Sequence, residues 1–323
     1  MKITLDLSKL VEEGKLTAAE AERLKGLAAP GTSALGISIL IGFGVISIAA
    51  SAVALVPVPA TAIAIGIAVF AAGLAIAFMA AAQWHLLAQI CLVIGALMFA
   101  GGVIAFGEGS LASLLIVTAA LAAGSIVARS SLLMVGAVLA LAACLGARTG
   151  YMHASYSLAI YEPTVTIVLF GALALAAYHA SKRLTADYES IAIAAARTAV
   201  LLVNFGFWIG SLWGDPLRLL RSMASGDPAV LNESLARGAV IPAYVFSILW
   251  AVALLIVGVW GAKANRRWVV NVAAVFGAIH FYTQWFERLG ANALSVLLGG
   301  LLMLGFGLAL WTFNRRAETK KTS

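Results

Sequence analysis

The sequence predicts an all-α polytopic transmembrane helix bundle of about ten spans, preceded by a small N-terminal helical hairpin. Three observations point there. Of 323 residues, 63% are hydrophobic and 11% charged, against about 25% charged in soluble domains. The apolar residues fall into about ten runs, sized to cross a hydrocarbon core about 30 Å thick at about 1.5 Å per residue. The runs are continuous rather than alternating, which excludes a barrel, so helices are the way left to satisfy every backbone group in lipid.

The elements follow in order. Residues 3–29 read as a helical hairpin within a head spanning 1–32. Leu5, Leu7, Leu10 and Val11 form an apolar strip, and Gly14 is a C-terminal stop. Thr17-Ala18-Ala19-Glu20 has the capping-box pattern that opens a second helix, and Pro30-Gly31 ends it. Such a hairpin buries too little to stand alone. It serves either as a topogenic cap or, through residues 1–29, as a contact for a second copy or a cytoplasmic partner. The membrane domain, 33–313, is read as spans 33–56, 59–80, 86–106, 111–127, 132–147, 163–181, 190–213, 238–261, 268–286 and 291–313. Pro57, Pro59, the Gly107-Glu108-Gly109-Ser110 turn, Arg129 and the Lys182-Arg183 pair punctuate them. The fifth span is short and the Tyr151–Pro163 stretch after it is ambiguous, which leaves nine and eleven crossings as alternatives. A basic tail, 314–323, closes the chain.

Charge tests this plan. With the N-terminus inside and ten alternating spans, Arg148, Arg218, Arg221, Arg237 and Arg288 lie outside and Arg197 within a span. The remaining fifteen of the twenty-one Lys and Arg residues lie inside. That bias fits the positive-inside rule and places both termini in the cytoplasm. The net charge of +7 is then accounted for by the inner leaflet, and no nucleic-acid partner is expected. No cleavable signal is evident, so the first span acts as the insertion signal. Cys91 and Cys144 sit at different depths and read as small core residues, with no metal-type spacing. Trp84, Trp213, Trp260, Trp268, Trp285 and Trp311 fall at span ends, where indoles favour the interface; Trp208 and Trp250 lie deeper.

Glycines at 36, 42 and 44, at 66 and 73, at 95, 101 and 102, and at 299, 300, 305 and 307 suit close helix contacts in lipid, where packing rather than burial drives pairing. The loop 214–237 carries Gly-Asp-Pro at 214–216 and 226–228. Asp before Pro is a helix start, so two short amphipathic helices on the outer surface are expected, either as a structural cover or as a gate.

Ionisable and amide side chains within spans are the candidate functional groups. His280, Gln284 and Glu287 share one helix face at i, i+4 and i+7. With Asn204 near the midplane they form a candidate intramembrane polar pathway, His280 being its titrating group. Arg197 either snorkels to the inner headgroups or receives an anion, and His179 sits at a similar depth. The same groups also fit plain interhelical hydrogen bonding. Enzyme signatures are absent: no Ser/His/Asp set, His-Glu-x-x-His, phosphate-binding loop or paired intramembrane Asp. No catalytic residue, metal or cofactor is expected, and His153 and Glu162 are too isolated for a metal pair.

The opening phrase LVEEGKLTAAEAERLKGL ahead of apolar helices, and the close ALSVLLGGLLMLGFGLALWTFNRR, resemble a family of bacterial multi-pass membrane proteins of unknown function that begin with a helical hairpin. The resemblance covers the two ends, and implies a hairpin, a polytopic domain and no assigned activity. The functional expectation is therefore a membrane carrier of a small solute or protons, or alternatively a scaffold or sensor that acts through its hairpin and tail. Ten spans with both ends inside are compatible with two inverted five-helix halves.

Overall fold

A computed structural model describes residues 10–11, 14–17, 19–20, 32–79, 84–152, 155–218, 239–290 and 292–322. Ten helices are present among them: α1 (Thr32–Leu55), α2 (Pro59–Met79), α3 (His85–Phe106), α4 (Leu111–Val127), α5 (Ser131–Cys144), α6 (Pro163–Ser181), α7 (Ala186–Trp213), α8 (Ala243–Lys263), α9 (Arg267–Leu289) and α10 (Ala293–Thr322). A strand pair, β1 (Ala147–Met152) and β2 (Ser155–Ile160), follows α5. Seven helices, α1–α3 and α6–α9, are long and apolar enough to cross a membrane. Three apolar segments are shorter: α4, α5 and the first part of α10, Ala293–Gly305. At about 1.5 Å per residue, the 17 residues of α4 and the 14 of α5 fall short of about 30 Å of hydrocarbon.

The chain forms two compact units, Met1–Gly109 and Ser110–Ser323, a division that does not coincide with five helices and five. In the first unit, α1 stops before Pro57, since the residue ahead of a proline is pushed out of the helical region, and α2 opens on Pro59, where a missing N–H costs nothing. α2 and α3 pack along two glycine pairs seven residues apart. A Cβ on Gly66 would lie 2.5 Å from the Phe99 amide nitrogen, and one on Gly95 2.4 Å from that of Phe70. Gly73 faces Leu92, and Gly102 faces Ile63. As the chain rises along α2 it falls along α3, so the two are antiparallel. α1 packs on α3, with Gly42 against Ile90, and Leu40, Phe43 and Ile48 are left exposed, as lipid-facing residues are.

In the second unit α7 is the hub, touching α4, α5, α6, α8 and β2. Val138 and Ala142 of α5, Phe170 and Ala174 of α6, and Ala195, Ala199 and Leu202 of α7 form one buried cluster. Small residues on α7 let the flanking helices approach. α8 packs on α7 and α9, and α9 on α10. Arg129, at the end of α4, bonds Asp187 in the first turn of α7 at 2.8 Å. Both side chains are more than half exposed, so the pair contributes at most about 1 kcal/mol.

One boundary is corrected, one open stretch is resolved, and the last helix extends further than its apolar run. The fifth run ends at Cys144 rather than 147, because Gly146 takes φ +82°, a left-handed conformation that closes a helix. The ambiguous stretch after it is neither loop nor span: β1 pairs antiparallel with β2, Ala147 opposite Ile160 through Met152 opposite Ser155. At the other end, α10 runs on to Thr322, so the basic tail continues the last helix.

Of the N-terminal head, the described residues include the turn and the capping box. Gly14 has φ +68°, and its N–H bonds the Val11 carbonyl at 3.0 Å. The Glu20 carboxylate accepts from the Thr17 amide at 3.0 Å and the Thr17 hydroxyl at 2.7 Å, while the Glu20 amide donates to that hydroxyl at 3.3 Å. The backbone and side-chain bonds from Thr17 hold the Glu20 carboxyl below its usual value. The rest of the expected hairpin, and all but the first five residues of the loop 214–237 where two amphipathic helices are expected, lie outside the described residues.

Candidate functional site

Two polar features mark the second unit. The first lies within α7, α8 and α9. Asn204 is 7% exposed; its amide donates to the Val200 carbonyl at 2.8 Å, and its oxygen accepts from the Trp250 indole N–H at 3.0 Å. Trp250 is 1% exposed and meets the His280 ring edge-on, centroids 4.9 Å apart. Phe276, one turn back on α9, packs edge-on to Phe205 at 5.6 Å. Trp208 donates its indole N–H to the Thr283 hydroxyl at 3.1 Å. The two indoles set deep by the sequence both bond across helices, as does Trp285, whose N–H donates to the Ser295 carbonyl of α10 at 3.1 Å. An interhelical polar bond of this kind contributes about 0.6 kcal/mol on average and up to about 1.7.

The predicted polar residues are only partly brought together. Asn204 and His280 meet through Trp250. Gln284 is half-buried further along α9 and Glu287 is exposed. Arg197 is exposed, and its guanidinium lies 5.3 Å from the centre of the Trp268 ring, the posture of a side chain reaching for an interface. His179 is also exposed; its Nδ1 is 2.9 Å from the Leu175 carbonyl of its own helix, and its ring packs edge-on to Tyr178. Cys91 and Cys144 are free thiols. Among the described residues no cluster of three metal-ligating side chains occurs.

The second feature gathers at the start of α6 and the end of α7. Asp215 is fully buried. One carboxylate oxygen accepts from the Thr164 amide in the first turn of α6 at 2.8 Å; the other accepts from the Leu217 amide at 2.7 Å. Its backbone bridges to Ile241, with the Asp215 amide donating to the Ile241 carbonyl at 2.9 Å. Gly214 makes this possible: it has φ +71°, and a Cβ there would lie 2.5 Å from the Ile241 carbonyl oxygen. The Asp-Pro pair therefore does more than start a local helix. Leu217 has φ +53°, outside the right-handed helical region, so Asp215 closes a turn there and caps α6 from 51 residues away. A carboxylate suits that place, since free amides and the helix dipole both favour negative charge. Glu162, just before α6, is also buried.

A cavity of 390 Å³ sits at this end of the unit. Leu158, Ala159, Ile160 and Tyr161 form one wall, and Pro163, Ile209, Trp213, Gly214, Pro216, Arg218 and Ala239 complete it. That volume falls among small-molecule sites, about 300–1,000 Å³. Arg218 is exposed and stacks over Tyr161, guanidinium carbon to ring centre 5.7 Å.

Sequence reading passed over Asp215 as a site residue and treated Glu162 as isolated. Their signal was an acid directly before a proline at the rim of an apolar run, twice, at Glu162-Pro163 and Asp215-Pro216. No protein-family model, characterised protein or solved structure matches the chain.

Proposed function

We propose that this is a ten-span integral protein of a bacterial inner membrane, both termini cytoplasmic, whose second unit binds a small solute, as a carrier does. The observation that carries the solute reading is the 390 Å³ cavity walled by aromatic, aliphatic and one cationic side chain, placed where α6 begins and α7 ends. Seven helices long enough to cross, three shorter apolar ones and the three-to-one split of basic residues are consistent with that topology. A reporter fused after Ser323 is expected to read cytoplasmic; a periplasmic signal refutes the even number of crossings.

A second reading, a scaffold or sensor that moves no solute, has its own support. Asn204 uses both ends of its amide on Val200 and Trp250, and His280 packs on the same indole. These groups then act as interhelical ties rather than as a relay. The two readings part on flux in proteoliposomes. If His280 serves packing, His280→Ala lowers thermal stability by about 0.5–1.5 kcal/mol, the value of an aromatic pair, and leaves proton flux, read by an entrapped pH dye, at the wild-type level. Abolished flux with unchanged melting would restore the pathway through His280, Gln284 and Glu287.

A further inference from the structure

We propose that the cavity at the α6–α7 end is a site for a small soluble organic anion, one carboxylate-like group on a flat or aliphatic body. This rests on reading that cavity as a solute site. Arg218 is the one charged side chain among its described lining residues. Asp215, three residues earlier, has both oxygens taken by the Thr164 and Leu217 amides. Among the described residues no carboxylate pairs with Arg218. Arg218 lies over the Tyr161 ring at 5.7 Å, and a guanidinium is a planar fork that matches a carboxylate in two parallel hydrogen bonds. The remaining wall suits an apolar body. Trp213 is 67% exposed, a large face for a ring to stack on, and Ile209, Pro163 and Pro216 add aliphatic surface.

An anionic lipid headgroup carries the same charge chemistry, so the test separates the two sources. Full-length protein is placed in nanodiscs of zwitterionic lipid, and binding is measured by equilibrium dialysis against empty discs. The probes are benzoate, benzylamine and benzyl alcohol, which share a ring and differ in charge. Benzoate is expected to bind saturably and at least tenfold more tightly than the other two. Arg218→Ala should weaken it at least tenfold, and Arg218→Glu should turn the preference to benzylamine. Arg129→Ala, which touches only the exposed pair with Asp187, should change nothing. Arg218 is exposed, so these variants should fold, and their melting curves check it. Equal binding of benzyl alcohol, or no effect of Arg218→Ala, overturns the anion assignment while leaving a solute site. Binding by none of the three probes overturns both. Loss of benzoate binding when phosphatidylglycerol is added to the discs makes the occupant a lipid headgroup and overturns the soluble-anion proposal.

Discussion

Gly95→Val is expected to break the first unit, with little protein surviving detergent extraction in folded form. The reason is backbone against backbone. A Cβ at 95 would lie 2.4 Å from the Phe70 nitrogen, 2.7 Å from the Gly66 carbonyl oxygen and 2.8 Å from the Phe70 Cα. Ordinary contact begins near 3.4 Å, so α2 and α3 must part by about 1 Å along their shared face. Unlike a side chain, a helix backbone has no rotamer to yield. Overpacking costs about 1–3 kcal/mol, and here the upper end applies, because Gly66 against Phe99 is strained by the same separation. Lipid offers no hydrophobic compensation for the lost contact, since tails solvate the parted faces as well as before. Even Gly95→Ala should lower the melting temperature measurably. Gly101→Ala, where a Cβ meets nothing within 4 Å, is the control. Equal melting curves for the 95 and 101 variants would remove the close crossing as the basis of this unit.

Asp215→Ala is the second change with a large expected effect. It strands the part-buried Thr164 and Leu217 amides, at up to about 1–3 kcal/mol each. Asp215→Asn should not rescue. Its side chain has one acceptor oxygen and one NH₂ group, and the carboxylate now accepts from two N–H donors on two different oxygens. Whichever way the amide is turned, one donor faces another donor. Asp187→Ala, by contrast, removes an exposed pair and should cost at most about 1 kcal/mol. Thermal unfolding followed by tryptophan fluorescence separates the three variants. An Asp215→Asn protein as stable as wild type would show that one of the two bonds carries no weight. Loss of Asp215 should also slacken the cavity, because the same carboxylate joins the 214–217 turn to the start of α6.

Much of the helical plan was legible because its signals are local. Pro57 and Pro59 bracket the first turn-around, the Gly107–Ser110 turn separates α3 from α4, and Thr17 with Glu20 announces a helix start before any tertiary contact exists. The deep indoles were visible too, as Trp208 and Trp250 sit away from the span ends. What each of them bonds was not, because the partners Thr283 and Asn204 lie 75 and 46 residues away. The stretch after α5 was illegible for another reason. Its residues are neither apolar enough for a span nor long enough for a clear period, and pairing over 147–160 is decided by Gly146 and by the neighbouring strand.

Arg197 and His179 show the limit of depth arguments. Position along a helix gives how far a side chain sits from the end, not which way it faces. Arg197 turned out exposed against Trp268, and His179 turned out bonded within α6. Asp215 shows the converse. Read locally, it is an unremarkable residue before a proline; folded, it is a buried carboxylate that caps a helix 51 residues earlier in the chain.

The sequence by itself determined that this chain is helical and built for an apolar surround, since composition and run length act residue by residue and need no partner. Only the tertiary structure decided which polar groups meet, where α2 and α3 touch backbone to backbone, and that Asp215, Tyr161 and Arg218 gather at one end of the second unit. Those outcomes depend on contacts between residues far apart in the chain, whose energies do not exist until the helices pack.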